Sequence, residues 1–81
     1  MDAPQTTVEL DLCGEVCPYT FLRTKLALEE LQPGDHLTIL LDHPPAFRNV
    51  PQALEEDGHL LLRVTQDREA QRCTILVRKG P

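Results

Sequence analysis

An apolar run in the middle of the chain, His36–Leu41 (His-Leu-Thr-Ile-Leu-Leu), constrains the fold more than any other stretch. Turn-forming sequences bound it on both sides, Gln32-Pro33-Gly34-Asp35 before it and Asp42-His43-Pro44-Pro45 after it. A short apolar run between turn signals is typical of a central strand that is covered on at least one face. The chain must therefore build a sheet and also supply the elements that cover it.

The patterns on either side of this run predict those elements. Period-two alternation predicts a half-buried strand over about Thr7 to Leu12, followed by a turn at Gly14. Apolar residues spaced three and four apart predict one helix from Pro18 to about Leu31 and another over about Ala46 to Asp57. We expect Pro51 to make the second helix short or late-starting, because proline lacks the N–H that a helix interior needs.

The last part of the chain predicts two strands, Leu60 to Thr65 and Cys73 to Arg78, joined by a charged turn as in an antiparallel hairpin. The order of elements is then β-α-β-α-β-β. Right-handed crossovers place both helices on the same face of one sheet. The sequence therefore predicts an α/β fold, a two-layer α/β sandwich with a four-stranded mixed sheet and both helices on one face. Its 81 residues suffice for one modest core, so we expect a single domain over residues 1–81.

The first predicted helix carries more apolar residues than one face can hold. The face expected to pack on the sheet holds Phe21, Thr24, Ala27, Leu28 and Leu31. Leu22 and Leu26 lie one turn apart on a different side of the helix. They either widen the core-facing stripe, which we expect because such stripes are common, or form a small exposed apolar ridge against which a partner protein docks.

Charge and cysteine content exclude several classes of protein. The formal net charge is −5, which disfavours direct nucleic-acid binding because that needs clustered Lys and Arg. No apolar run approaches the length of a membrane span, and Met1 to Thr7 has no targeting pattern. Cys13, Cys17 and Cys73 form an odd set without a secretion signal, which predicts free thiols in a reducing cytoplasm.

Cys17 stands directly before Pro18 at the start of the first predicted helix. Proline is favoured at the first helical position, so we expect Cys17 at or next to the N-cap. The first turn of a helix has unpaired N–H groups and the positive end of the macrodipole, which lower the pKa of a thiol placed there. The sequence thus predicts a reactive sulfur nucleophile, although a free cysteine is also commonly a small buried residue.

Several motifs together resemble those of one known family. They are Leu-Asp-Leu-Cys-Gly-Glu-Val-Cys-Pro at residues 10–18, Leu-Gln-Pro-Gly-Asp at 31–35, Asp42 with the Pro44 turn, Arg48-Asn49-Val50-Pro51, Gly58-His59, and a closing Ile-Leu-Val-Arg-Lys at 75–79. In these motifs the chain resembles the TusA/SirA family of small sulfur carriers from about Val8 to Lys79. The fold of that family is the same two-layer sandwich that the patterns predict.

The resemblance implies a function for Cys17. In the family, the cysteine of the Cys-Pro motif receives a sulfane sulfur from a cysteine desulfurase or a rhodanese-type donor, carries it as a persulfide, and passes it to an acceptor protein. By resemblance the chain is a sulfurtransferase-type carrier, stoichiometric in a relay rather than an independent catalyst, with a domain core over about residues 8–79. It implies no cofactor. Relays that end in tRNA thiolation, in molybdenum-cofactor sulfuration or in sulfur oxidation are all compatible with it.

The residues around Cys17 are expected to support it, with two departures from the family. The family motif is usually Cys-Pro-x-Pro, whereas Thr20 stands here in place of the second proline and adds an N–H and a hydroxyl. Cys13 stands where the family commonly has a basic or other non-cysteine residue. It is either a small residue at a strand end, which we expect, or a thiol that resolves oxidised or persulfidated Cys17 as a disulfide. Glu15 and Pro18 complete the predicted supporting set.

Three polar residues follow the central strand, at the sheet edge that is also expected to present Cys17: Asp42, Arg48 and Asn49. They either line the Cys17 site, where they contact a partner or polarise the persulfide, or they serve as loop and N-cap residues. Cys73 alternates with apolar residues in the last strand, so we expect its side chain to be buried.

Two other functions compete with sulfur transfer. Cys13 and Cys17 with scattered histidines at 36, 43 and 59 form only a weak metal-binding pattern, because structural zinc sites need four ligands at characteristic spacing. We therefore expect no metal, and we expect His43 and His59 to be loop and turn residues. The main alternative is a non-enzymatic regulatory or adaptor protein that acts through protein contacts, and its acidic charge suits a basic protein partner.

Overall fold

The computed structural model describes residues 7–16 and 19–80. Its elements, in chain order, are β1 (Thr7–Asp11), α1 (Tyr19–Glu29), β2 (His36–Leu41), α2 (Pro44–Glu56), β3 (Leu60–Asp67) and β4 (Arg72–Arg78). This order confirms the predicted β-α-β-α-β-β arrangement. Neither of the two helices in the described ranges is long and apolar enough to cross a membrane.

The four strands form one mixed sheet in the order β1-β2-β4-β3. β1 runs parallel to β2, and β4 is antiparallel to both β2 and β3. The apolar run that the sequence marks as a central strand is β2, which lies between β1 and β4. The sheet confirms the predicted mixed topology, and it brings the ends of β1 and β2 to the same edge.

One face of the sheet forms the floor of the core. Leu37, Ile39 and Leu41 alternate along β2 and are fully buried, and across the register lie the equally buried Val77, Ile75 and Cys73 of β4. The two helices contact each other, and both contact β2. The helices therefore cover this face, as predicted, and the burial of Cys73 is also as predicted.

Helix α2 departs from the prediction at its start. It begins at Pro44 rather than near Ala46, and it runs through Pro51 to Glu56, so the expectation of a short or late-starting helix is wrong. The two prolines at its start suit a first turn, where a missing N–H costs nothing. Val50 and Leu54 of the same helix are buried in the core, and this packing offsets the hydrogen bond that the helix loses at Pro51.

Helix α1 buries polar residues and exposes apolar ones. Thr20, Thr24 and Leu28 are buried, whereas Leu22 and Leu26 are half exposed. The Thr24 Oγ1 donates a hydrogen bond to the Thr20 carbonyl oxygen at 2.7 Å, which satisfies the hydroxyl inside the core. The expectation that Leu22 and Leu26 widen the core-facing stripe is therefore wrong, and they form the exposed ridge instead.

Candidate functional site

The site predicted from the sequence centres on Cys17, which together with Pro18 lies outside the described residues. The chain on both sides is described, and it consists of the end of β1, residues 12–16 of the β1–α1 loop (residues 12–18), and α1 from Tyr19. The geometry of these flanking parts is therefore what the structure contributes to the site.

The first part of the β1–α1 loop is a tight turn that continues from the sheet. The backbone N–H of Leu12 donates to the Leu40 carbonyl oxygen at 2.9 Å, and the N–H of Glu15 donates back to the Leu12 carbonyl at 3.0 Å. Gly14 at the tip has φ +90°, a left-handed conformation that favours glycine. The Leu12 side chain is fully buried, so the turn starts from a fixed point in the core.

Two carboxylates accept hydrogen bonds from the backbone of this turn, one locally and one from a distant part of the chain. Asp11 Oδ1 accepts the backbone N–H of Cys13 at 3.0 Å, and Asp42 Oδ1 accepts the backbone N–H of Gly14 at 2.8 Å. Asp42 directly follows β2, so the meeting of these residues comes from the parallel pairing of β1 with β2. The structure thus brings Asp42 to the loop of Cys17.

The second part of the loop is tied to α1. The Val16 carbonyl oxygen accepts the N–H of Tyr19 at 2.8 Å and the N–H of Thr20 at 3.3 Å. Glu15 accepts a salt-bridged hydrogen bond from Arg23 at 3.0 Å, with both side chains substantially exposed, so this pair contributes little to stability. Of the predicted supporting residues, Glu15 is partly exposed and pairs with α1, whereas Thr20 is buried in the first turn of α1.

Cys13 is a half-buried free thiol beside the same carboxylates. Burial raises the pKa of this thiol, the neighbouring Asp11 and Asp42 carboxylates raise it further, and Arg72 opposes them. The hydrogen bond from the Cys13 backbone N–H in turn lowers the pKa of Asp11. A thiol with a raised pKa is a poor nucleophile near neutral pH, which disfavours Cys13 as an attacking group.

A small cavity of about 230 Å³ opens next to Cys13 and is lined by Asp11, Cys13, Leu40, Leu41, Arg72, Cys73 and Thr74. Cys73 is buried and free, and burial raises the pKa of its thiol. Cys13 lies two residues after β1 and Cys73 is the second residue of β4, with β2 between these strands. Both thiols are free in the structure.

The other predicted polar residues lie elsewhere. Arg48 is exposed on α2 and lines a groove between α2 and β3, with Pro51 and Val64 among its neighbours, rather than the β1–α1 loop. Asn49 is an exposed residue inside α2, and the N-cap position belongs to His43, whose side chain makes no capping hydrogen bond. The structure therefore brings Asp42 to the loop but not Arg48.

A family model, "Sulfurtransferase TusA", matches residues 8–79 of the chain. This match spans almost the whole chain, including the strand, loop and helix that surround Cys17.

The chain belongs to the TusA family.

Its relatives in the TusA family carry similar names. A "Putative sulfur carrier protein" of Archaeoglobus fulgidus is 47% identical over 70 residues, which cover 86% of this chain and 78% of that protein. A protein of the same description from Methanocaldococcus jannaschii is 35% identical over 71 residues, covering 88% and 92%. The crystal structure of a SirA-like protein from Desulfitobacterium hafniense matches with a TM-score of 0.76 and 25% identity, covering 91% of this chain and 99% of that one. These matches confirm the resemblance and the predicted fold.

An exposed set of apolar side chains, which we call the apolar stripe, runs from the β1–α1 loop along α1. Its members follow in steps of three, three and four residues, with exposed fractions of about half each: Val16 (48%), Tyr19 (58%), Leu22 (50%) and Leu26 (51%). The sequence prediction preferred an inward position for the two leucines and so missed this surface. The sequence did contain a signal for this surface, because Thr20 and Thr24, one turn apart, occupy the inner face of α1.

Within the described residues, no group of three or more His, Cys, Asp or Glu side chains is arranged to hold a metal ion. His59 is a turn residue after α2, where its N–H donates to the Leu54 carbonyl and its Nδ1 accepts the N–H of Gly80 at 3.0 Å. Burial lowers the pKa of His59, and Lys79 lowers it further against the opposing effect of Asp57. These contacts place His59 in the turn after α2 and not at the β1–α1 loop.

Proposed function

We propose that this protein is a sulfur carrier that accepts sulfane sulfur on Cys17 as a persulfide and passes it to an acceptor protein in a sulfur relay. The observation that carries the proposal is the TusA family match over residues 8–79, within which the sequence holds a Cys-Pro pair directly before α1. The names of the relatives as sulfur carrier proteins support the same function.

The proposed reaction is two exchanges at sulfur with no net oxidation. The Cys17 thiolate attacks the outer sulfur of a donor persulfide, a new S–S bond forms, and the donor S–S bond breaks to release the donor thiolate, which takes up a proton. The acceptor thiolate then attacks the outer sulfur on Cys17, and Cys17 leaves as a thiolate. Each exchange depends on the thiolate fraction of the attacking group and on its access.

The local electrostatics suit this chemistry. α1 starts at Tyr19, two residues after Cys17, and the N-terminus of a helix favours a thiolate and a persulfide anion. We propose that Pro18, Glu15 and Thr20 support the site by starting the helix, by pairing with Arg23 and by filling the space beneath the first turn. Cys13 has a raised pKa and so is not the attacking thiol in this proposal.

We propose that the partners are proteins, with a cysteine desulfurase or a rhodanese-type protein as donor, in the cytoplasm, where free thiols persist. Sulfur exchange requires the cysteine of another protein to reach Cys17, so the surface next to the β1–α1 loop must contact that protein. The apolar stripe begins at Val16 in this loop and extends along α1 to Leu26, and exposed apolar patches are typical of such contacts. Neither nucleic acid nor membrane contact is part of this proposal, and residues 1–81 act as one domain.

The apolar stripe also favours the second candidate function, a regulatory or adaptor protein. An adaptor needs the same protein contact but no thiol. Cys17→Ser therefore separates the two functions, because a carrier loses all function whereas an adaptor keeps its binding and its effect.

The test is intact mass after incubation with a cysteine desulfurase, pyridoxal phosphate and cysteine, for the wild type, Cys17→Ser and Cys13→Ser. We expect a gain of about 32 Da, one sulfur, in the wild type and in Cys13→Ser, reversed by reductant and absent in Cys17→Ser. No gain with desulfurase or rhodanese-type donors would favour the adaptor function. A gain that persists in Cys17→Ser would place the sulfur on another cysteine.

A further inference from the structure

We infer that Asp42 is a positioning residue for sulfur transfer, because its carboxylate holds the tip of the β1–α1 loop, three residues before Cys17 in the chain, at the carboxyl end of β2. The inference rests on the proposed function and deepens it. Its basis is the hydrogen bond from the backbone N–H of Gly14 to Asp42 Oδ1, 2.8 Å long, between residues 28 positions apart in the chain.

The hydrogen bond to Asp42 is the long-range contact at the tip of the loop, whereas the Leu12–Leu40 hydrogen bond lies at its start and the exposed Glu15–Arg23 pair joins it to α1. A Cβ at Gly14 would meet no atom within 4 Å, so no side chain packs against the tip from that side. The hydrogen bonds from Cys13 to Asp11 and from Glu15 to Leu12 are local, and they shape the turn without fixing it to another element. Of the acceptors Asp11, Leu12 and Asp42, Asp42 is the one that lies outside β1 and the β1–α1 loop, directly after β2.

The other end of this contact is rigid. Asp42 follows Leu41, which is fully buried, and β2 is paired on both sides by β1 and β4. Hydrogen bonds to an ionised carboxylate are stronger than those between neutral groups. This contact therefore ties the third residue before Cys17 to the end of a central strand.

Position matters for this reaction because sulfur exchange needs access to a donor sulfur along the S–S bond. Misplacement of a reacting group by about 1 Å can cost on the order of a hundredfold in rate. The charge of Asp42, in contrast, gives no help to a nearby thiolate, since a like charge disfavours ionisation. The property of Asp42 that matters here is thus its Oδ1 oxygen, which lies at hydrogen-bonding distance from the Gly14 N–H.

The experiment compares Asp42→Asn, Asp42→Glu and Asp11→Ala in a Cys13→Ser background, so that Cys17 is the reporting thiol beside the buried Cys73. Asparagine keeps an acceptor oxygen at the same distance, and glutamate keeps the charge but displaces the oxygen. Asp11→Ala is the matched control, because it removes a local hydrogen bond to the same turn. Thermal melting of each variant establishes that it is folded.

Two rates are measured for each protein: single-turnover persulfide loading from a cysteine desulfurase, and alkylation of Cys17 by iodoacetamide. We expect Asp42→Glu to load about tenfold more slowly than the parent, and Asp42→Asn and Asp11→Ala to stay within about twofold. Equal loading of Asp42→Glu and the parent, or equal slowing by Asn and Glu, would overturn the inference. If the parent itself never loads, the proposed function fails, and the alkylation rates still decide whether Asp42 positions Cys17.

Discussion

The two helices of this protein differ in how many of their apolar residues they bury. α2 buries Ala46, Val50 and Leu54 and turns charged residues outward, as an ordinary amphipathic helix does. α1 buries Thr20 and Thr24 and leaves the leucines of the apolar stripe half exposed. The two helices lie on the same face of the sheet, where α2 contacts β2, β3 and β4 and the main sheet contact of α1 is with β2.

This difference indicates what each helix is for. An exposed leucine stabilises the fold little, so a helix that exposes two of its three leucines and buries two threonines is not optimised for folding alone. α1 directly follows the β1–α1 loop, whereas α2 follows β2. We therefore interpret α2 as the helix that stabilises the sheet and α1 as the helix that presents the loop to a partner.

The largest expected effect is a difference between the two helices in how much a leucine contributes to the free energy of unfolding. Leu54→Ala in α2 removes a side chain that is 1% exposed, and we expect a loss of about 2–5 kcal/mol in the free energy of unfolding. Leu26→Ala removes one that is 51% exposed, and we expect a change within about 0.5 kcal/mol. Urea denaturation of both variants gives the comparison, and similar losses would contradict the assignment of roles.

The next prediction concerns partner binding. The double variant Leu22→Asp with Leu26→Asp is expected to lower the rate of sulfur transfer from a protein donor about tenfold or more at subsaturating concentration, because it places charge in an apolar contact. The control is Leu60→Asp, whose side chain is exposed to a similar extent, 54%, on β3. Reaction of Cys17 with a small thiol reagent should not change, and if transfer stays at the wild-type rate then α1 does not dock the donor.

A smaller effect is expected at the start of α2. His43 is the N-cap, with extended backbone and no capping hydrogen bond from its side chain. His43→Ser supplies an acceptor for the first turn and is expected to raise the free energy of unfolding by about 0.5–1 kcal/mol. Asn49→Ser, an exposed change inside the same helix, is the matched control. Equal effects of both changes would mean that the cap does not limit the stability of α2.

The smallest expected effect is a pH dependence where the two helices meet. His59 lines a cavity of about 260 Å³ between α1 and α2, and burial lowers its pKa. Because its pKa in the folded state is below the unfolded value near 6.5, its contribution to stability is complete above about pH 6.5 and is lost as the pH falls through the lower folded-state value. Protonation also removes the acceptor for the Gly80 N–H.

Urea denaturation between about pH 7 and pH 5 measures this contribution, in a range above the ordinary pKa of most carboxylates. His59→Gln cannot be protonated, so its stability should fall less steeply than that of the wild type as the pH is lowered. Parallel curves would show that His59 does not produce the dependence.

Much of the fold follows from local signals. β2 matches its predicted bounds because an apolar run stands between strong turn sequences, and the hairpin is clear from two β-rich runs around a charged turn. The start of α2 is less clear because Pro44 and Pro45 break a strand and begin a helix equally well. The orientation of α1 is also ambiguous, since apolar residues surround it and only tertiary packing selects the face that is buried.

The site is predictable in part. Because the ends of neighbouring parallel strands share an edge, the sequence allows Asp42 either at the Cys17 site or as a loop or N-cap residue, and in the structure its carboxylate accepts the Gly14 N–H of the β1–α1 loop. Arg48 was grouped with it by closeness in sequence, but helix geometry turns this side chain towards β3. The order and pairing of the strands determine which strand ends meet, whereas the direction of a helical side chain depends on the residue at which the helix begins.

The central claim is that Cys17 carries the sulfur, and the most direct measurement locates the added atom by peptide mass. The loaded protein is alkylated and cut after glutamate, because cleavage after Glu15 separates Cys13 from Cys17, whereas Cys73 lies on a third fragment. We predict an added mass of about 32 Da on the peptide that contains Cys17 and on neither of the others. Added sulfur on the peptide of Cys13 or Cys73, with Cys17 unmodified, would contradict the account.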